Sequence, residues 1–347
     1  MPVTRNKPDS CLQNSAYRCM FVEYIKDVTT NAKMMDKLFE NGNNYVDEVI
    51  RPLLPNANFV MFNQNKYSLF ELEQLRNSIY DRPLDNDALF LHFTSVTKLL
   101  EIIRSKTIRM SDFNSFKDGF ELSFANNNLV ENISDFQDFK SCSFAFSMCE
   151  DIEKNRQNEY MWNEYGDKHK GVIIRFKLDK KKSVFYKFHL GRINYRDNEK
   201  IEEIRELRTR HYNFVNKYGI TIENLDNIIL TVCSMYKKTI PFKQENEIRL
   251  LAYIPKMENQ IHSIHTNQTY PIKSKYNSGK NLIEYFFELE LEYENENKKC
   301  LLPSLSIERI FLGKKLIGEI GLKIDKILQH EFQNSFGRKI IIDYELM

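Results

Sequence analysis

Ala88-Leu-Phe-Leu-His-Phe-Thr94, continued by Ser95 and Val96-Thr-Lys-Leu-Leu-Glu-Ile-Ile103, is the stretch on which the fold turns. Residues 88–94 are apolar enough, and short enough, for an interior strand. Ser95 has the side-chain oxygen of a helix N-cap, and residues 96–103 repeat apolar side chains at helical spacing. The unit is strand, cap, helix. A strand this apolar needs cover on both faces, so it predicts a layered core rather than a solvated sheet.

Working outward, further strands are expected at 143–148, 171–176, 183–188, 248–253, 285–291, 307–312 and 340–344, and helices at 159–165, 200–218, 222–237 and 318–332. There is no regular βαβ alternation and no glycine-rich phosphate loop, so the class is α+β. Upstream, Met20, Tyr24, Val28, Met34, Met35, Leu38 and Phe39 recur at helical spacing, and Leu69, Phe70, Leu72 and Leu75 form a second set beyond Pro52 and Pro55. This predicts an N-terminal helical appendage over 1–87, closed by the turn-forming Asp81-Arg-Pro-Leu-Asp-Asn-Asp87. The main domain is then 88–347. The run 292–299 is read as an exposed loop.

The chain of 347 residues is 42% hydrophobic and 13% aromatic, enough to bury a full core. Fifty Lys and Arg against 48 Asp and Glu leave a net charge of +2, so no global field draws the protein to nucleic acid or membrane. Six scattered cysteines without a C-x-x-C pair read as reduced thiols. Residues 1–10 lack an apolar signal core and no apolar run is long enough to span a bilayer, so the cytoplasm is the expected compartment. His262 and His265 lack helical periodicity and a third ligand, and no metal is expected. Nucleophile elbow, HExxH and Walker patterns are missing, which lowers the weight of those reaction classes.

Three clusters carry candidate chemistry. His92 interrupts the apolar strand just before the cap, and it is either a core histidine bonded to a backbone carbonyl or a functional one. In Phe242-Lys-Gln-Glu245-Asn-Glu247-Ile-Arg249, strand alternation would put Glu245, Glu247 and Arg249 on one face. Two carboxylates raise each other's pKa while a guanidinium keeps at least one ionised, which suits a working carboxylate; a solvated ion-paired face is the plainer alternative. In Tyr160-Met-Trp162-Asn-Glu-Tyr165-Gly166-Asp-Lys-His169-Lys-Gly171 the single tryptophan sits among tyrosines at helical spacing, as core or as a stacking surface for a flat ring. The polar stretch Ser111 to Glu121 reads as a turn stapled by Asx bonds.

Taken in order, these clusters resemble one bacterial family of unassigned function. Its Leu-Tyr-His-Tyr-Thr-Ser strand is similar to Leu91 to Ser95, with Phe93 at a tyrosine position. Its Phe-Asn-Asp-Pro-Phe-Glu loop is similar to Phe116 to Glu121, with Lys117 and Gly119 as departures. A Met-Trp-x-x-Tyr-Gly-x-x-His-x-Gly block is matched by Met161 to Gly171, a Glu-x-Glu-x-Arg strand by Glu245, Glu247 and Arg249, and an Ile-x-x-Ile-x-x-Gly element by Ile307, Ile310 and Gly313. The resemblance runs from about Leu89 to Tyr344.

That family in turn resembles the ADP-ribosyltransferase superfamily. The resemblance implies a split mixed or antiparallel β core with surrounding helices and a site for NAD as substrate. It implies that His92 bonds a ribose hydroxyl, that Tyr160, Trp162 or Tyr165 stacks on nicotinamide, and that Glu247 holds the nicotinamide ribose with Glu245 as general base. His92, Phe93, Thr94, Trp162, Tyr165 and Arg249 then form the dinucleotide-contacting set. The expected chemistry is transfer of ADP-ribose to an acceptor (water, a protein side chain or a nucleic-acid group), used to modify a target or to deplete NAD in phage defence. The competing expectations are a nucleotide- or RNA-binding module without catalysis, and a scaffold whose N-terminal helices recruit a protein partner or a second copy. An enzyme requires His92 and Glu247 to line one cleft of dinucleotide size; full pairing of Glu247 with Arg249 in a filled cleft would favour the other two.

Overall fold

The computed structural model describes residues 44–50, 52, 60–63, 66–68, 88–116, 140–179, 188–197, 202–219, 233–234, 236–254, 260–262, 269–279, 281–292 and 303–344. Its strands are β1 (Val60–Asn63), β2 (Lys66–Ser68), β3 (Ala88–Thr94), β4 (Thr107–Asp112), β5 (Ser143–Glu150), β6 (Val172–Asp179), β7 (Phe188–Arg192), β8 (Asn194–Arg196), β9 (Tyr236–Lys238), β10 (Glu247–Tyr253), β11 (Gln260–His262), β12 (Thr269–Asn277), β13 (Leu282–Glu290), β14 (Ser304–Leu312) and β15 (Ile341–Tyr344). The longer helices are α1 (Val96–Ser105), α2 (Glu159–Glu164), α3 (Glu202–Tyr218) and α4 (Glu319–Phe336).

The strand, cap and helix read from 88–103 are present. Ser95 accepts the Lys98 backbone N–H at 3.2 Å, and α1 buries Leu99 and Ile103. Lys106, in the left-handed conformation at φ 54°, ends the helix and turns the chain directly into β4. Eleven strands form one sheet in the order β11-β12-β13-β4-β5-β3-β6-β14-β15, with β10 along the other edge of β5 and β7 beyond it. Every pairing in it is antiparallel except β14 with β15. The architecture is α+β.

The register explains where this sheet divides. β10 pairs with β5 from Ser143 to Cys149, whereas β3 and β4 must share the opposite edge. β4 holds only Phe144 and Ala145, and β3 holds only Cys149 and Glu150. Continuing either ladder would bring Arg109 of β4 and Phe93 of β3 to the same partner, Ser147. Both cannot pair there, so the two strands leave β5 as the prongs of a fork, joined across its mouth by α1.

Pleating then sorts the faces. Phe90, Phe144, Phe146, Met148, Phe176, Ile248 and Leu250 fall on one face and join Leu99 and Ile103 of α1 and Leu328 and Phe332 of α4 in the main core. The other face carries Leu91, Phe93, Cys149, Ile173 and Phe311, covered by Met161 and Trp162 of α2. At about 25 cal/mol per Å² of apolar area removed from water, aromatic burial on both faces makes this the stable frame that holds the fork.

Several expectations change. Residues 60–63 and 66–68 are the antiparallel strands β1 and β2, not helix. Residues 44–50 pack against α3. Val46–Ile50 is a π-helical turn, Tyr45 is buried with its hydroxyl 2.8 Å from His211 Nδ1, and Glu48 accepts bonds from Lys217 and Tyr218 of α3. The expected helical sets at 20–39 and 69–75 and the turn at 81–87 lie outside the described residues. Of the expected helix at 222–237, residues 222–232 and 235 lie outside them and 236–238 are strand β9. Among the described residues no helix is long and apolar enough to cross a membrane.

Candidate active site

Behind the fork lies a cavity of about 890 Å³, reached by His92, Phe93 and Thr94 from β3, Ala145 to Met148 from β5, and Glu245 and Glu247. Its volume is within the range of small-molecule and cofactor pockets. It exists because the β5 face that meets it carries the small side chains Ser143, Ala145, Ser147 and Cys149, alternating with the large Phe144, Phe146 and Met148 on the core side.

Glu247 opens β10, and its backbone N–H donates to the Tyr195 hydroxyl at 2.9 Å. Its carboxylate is held on four sides. Ser147 Oγ donates to Oε1 at 2.5 Å, Arg249 Nε reaches Oε1 at 2.9 Å and Nη2 reaches Oε2 at 3.3 Å, and Lys237 Nζ lies 2.9 Å from Oε2. Arg249, fully buried, also donates to the Ser234 carbonyl at 2.7 Å and lies over the rings of Phe113 and Phe116 at 5.4 and 5.7 Å.

Glu245 is not on the strand, as alternation had suggested. It ends a 3₁₀ turn (Lys243–Glu245), and Asn246 at φ 48°, ψ 45° breaks the pleat before β10 starts. Asparagine tolerates that left-handed conformation. Asn246 is pinned by Asn155, and Asn158 donates to the Gln244 carbonyl, so the turn is anchored to the segment leading into α2. The two carboxylates still meet, through Lys237. Its ammonium is 3.0 Å from Glu245 Oε2, and the Tyr165 hydroxyl donates to Glu245 Oε1 at 2.5 Å.

The two glutamates titrate apart. Burial would raise Glu247, but Arg249 and Lys237 outweigh it and hold the carboxyl far below the ordinary range. For Glu245, burial is the largest influence and the Glu247 charge adds to it, so its pKa is raised despite Lys237. Burial also raises the Tyr165 hydroxyl, with the Glu245 charge reinforcing it. Environments that separate two carboxylates in this way assign them different roles.

His92 takes the backbone-bonded alternative. Its Nδ1 lies 3.0 Å from the Ser147 carbonyl, at the point where the divided edge of β5 has no ladder partner, and its ring packs on Phe146 at 4.6 Å. Burial lowers its pKa and keeps the ring neutral. Alternation places His92 on the main-core face and Glu247 on the other, yet both line the cavity, because the fork opens one face to the other. Ser147 connects them, its carbonyl to His92 and its hydroxyl to Glu247.

The remaining expected residues divide. Tyr165 lines the cavity beside Glu245, is 43% exposed and, of Tyr160, Trp162 and Tyr165, is the one found in the cavity lining. Trp162, expected to contact the dinucleotide, is a core residue at 2% exposure. It stacks on His169 at 5.1 Å, meets Phe93 edge-on at 5.2 Å, and its indole N–H donates to the Arg156 carbonyl at 2.7 Å. Phe93 packs with it and, like Thr94, is among the residues that line the cavity. Arg249 stands behind Glu247 and does not line the cavity.

Ser147 and Lys237 were not singled out from the sequence. The small-large alternation of residues 143–149 was a readable signal for the first. Lys237 carried none, since its approach to Glu245 depends on β9 lying parallel to β8, with Tyr195 opposite Lys237.

A model of a family described as a protein of unknown function (DUF2971) matches residues 161–250, about a quarter of the chain. The matched stretch holds Tyr165, Lys237, Glu245, Glu247 and Arg249, and leaves His92 and Ser147 outside it. No curated protein and no solved structure matches the chain.

Proposed function

We propose that the chain cleaves the nicotinamide–ribose bond of NAD, delivering ADP-ribose to water or to another acceptor, and that its domain is of ADP-ribosyltransferase type. The observation that carries this is the pair at the cavity wall: Glu247, paired by Arg249 and Lys237 and held well below the ordinary range, next to Glu245, bound by Lys237 and Tyr165 and raised above it by burial. Departure of nicotinamide leaves positive charge on the ribose carbon. An immobile carboxylate beside that carbon stabilises the transition state more than the neutral sugar, with no reorganisation at the moment of reaction. Glu245 then takes the proton of the attacking hydroxyl or amine, its oxygens oriented by Tyr165 and Lys237. Tyr165 gives the ring a face to stack on. His92, neutral and fixed to Ser147, sets the divided edge that the ribose would meet. Work in the cytoplasm fits the free thiols of Cys142, Cys149 and Cys233.

One observation favours a second reading, a nucleotide-binding module without catalysis. An ionised carboxylate has about four acceptor positions, and Ser147, Arg249 and Lys237 already supply Glu247 with four close contacts. The test is nicotinamide release from NAD by the purified protein, with and without cell lysate. Release that disappears in Glu247→Gln supports the enzyme, and lysate dependence marks transfer over hydrolysis. Saturable NAD binding with no release under either condition supports the module.

A further inference from the structure

The cavity has a second end, away from the glutamates, whose charge is different in kind. There it is lined by Lys98, Glu101 and Arg104 of α1, Arg109 of β4, Lys275 of β12 and Glu284 of β13. Four cationic side chains and two carboxylates line it, and Glu331 and Glu288 stand behind Arg104 and Arg109, with Lys273 also on Glu288, so the surrounding charges leave one positive charge over. At the glutamate end, Glu245 and Glu247 are balanced by Lys237 and by Arg249 behind them.

The cations at this end are unequally engaged. Lys98 is bonded to Glu101 at 2.8 Å, and Arg104 to Glu331 at 2.6 Å. Arg109 Nε forms a long ion pair with Glu288 Oε1 at 3.6 Å, while Lys273 bonds Oε2 of the same carboxylate at 2.6 Å. Its guanidinium also lies over the Phe286 ring at 4.7 Å, and the long contact to Glu288 leaves it room to take a second acceptor. Lys275 is opposite Glu284 in the β12/β13 register, but that carboxylate is bonded by Asn277 at 2.7 Å. Lys98 bonds Glu101 directly, and the Arg109 and Lys275 charges join it in lowering the Glu101 pKa.

We propose that Arg109 and Lys275 form a phosphate-binding end of this cavity, so that its ligand is a nucleotide carrying a diphosphate, seated with its phosphates against α1 and β4. A planar guanidinium and an ammonium lining the same cavity suit the two tetrahedral groups of a diphosphate, whose negative charge the surplus of cations at this end would meet. This rests on the reading above, in which the sugar of the same ligand reaches Glu247, and it adds what holds the other half. Arg109 is a binding residue here and takes no part in bond cleavage.

The experiment is calorimetric titration of the full-length protein with ADP-ribose, adenosine and inorganic pyrophosphate, at 50 and 300 mM salt. The parent, Arg109→Gln, Lys275→Gln and Lys323→Gln are compared, the last as a remote charge control on α4. ADP-ribose is expected to bind at least tenfold tighter than adenosine, to weaken with salt, and to lose fivefold or more affinity in Arg109→Gln and Lys275→Gln but less than twofold in Lys323→Gln. Equal binding of adenosine and ADP-ribose, or an unchanged affinity in Arg109→Gln, overturns the proposal. Pyrophosphate binding as tightly as ADP-ribose overturns the nucleotide assignment in favour of a free polyphosphate. Arg109-dependent ADP-ribose binding without nicotinamide release would sink the catalytic reading and leave this one standing. Nicotinamide release with an NAD KM indifferent to Arg109 would do the reverse.

Discussion

Replacing Lys237 by methionine keeps most of the side-chain volume and removes the charge that lies between Glu245 and Glu247. Lys237 is buried, with its ammonium 3.0 and 2.9 Å from the two carboxylates. Without it the buried group holds two acids against Arg249 alone. Breaking a buried ion pair from one side costs on the order of 3–5 kcal/mol. Proton uptake by Glu245, already the weaker acid, caps that penalty, and about 3 kcal/mol is expected at pH 7. For a domain of this size that is a melting shift of roughly 6–12 °C. The sign with pH follows from the raised Glu245 pKa. The stabilisation from a bound proton is complete below the ordinary value of 4.5 and is lost as pH rises through the folded-state value, so the variant's deficit should shrink from pH 7 to pH 5 by up to about 1.4 kcal/mol per unit. Differential scanning calorimetry of parent and variant at both pH values measures this. Adding Glu245→Gln restores charge balance, and the double variant should recover about 1–3 kcal/mol of the loss. A Lys237→Met protein melting within 2 °C of the parent, or a deficit that does not shrink in acid, would refute the electrostatic account of the cluster.

If Glu245 is the general base, kcat/KM should fall on the acid side with an apparent pKa above 4.5, and Glu245→Gln should flatten that limb while lowering activity by about 10²–10⁴. Cys149, whose thiol is pushed up to about 12 by burial and the nearby acidic charges, should resist iodoacetamide at pH 8 in the native protein and react once it is unfolded, as read by mass spectrometry. Gly171→Ala should destabilise by roughly 1–3 kcal/mol in denaturant titration, since a Cβ there would lie 2.3 Å from the Thr94 carbonyl oxygen and 2.7 Å from that of Gly166.

The parts of this fold that were legible in the sequence are those set by local pattern. Residues 88–103 carried strand, cap and helix in their own spacing, and β5, β6, β10, β13 and β14 were near-continuous apolar or alternating runs. β4 was missed because Thr107-Ile-Arg-Met-Ser-Asp112 alternates for only six residues and its polar end was absorbed into the expected loop. The fork itself could not be read. It arises from β3 and β4 competing for the same edge of β5, a fact of register across 60 residues of chain. The candidate site was legible to the same depth. Glu245, Glu247 and Arg249 were found by type and spacing, but their meeting depends on Asn246 and on Lys237, which only the tertiary pairing of β8 and β9 supplies. Trp162 was over-weighted, because a lone tryptophan at helical spacing announces a large apolar anchor before it announces a ligand.

The most direct test of the central claim is chromatographic measurement of nicotinamide released from NAD by the purified full-length protein, with Glu247→Gln run alongside and both checked for equal folding by circular dichroism. Steady release by the parent and a loss of at least a hundredfold in the variant are the predicted result. Equal rates in the two folded proteins, or no release by the parent with or without lysate, would contradict it.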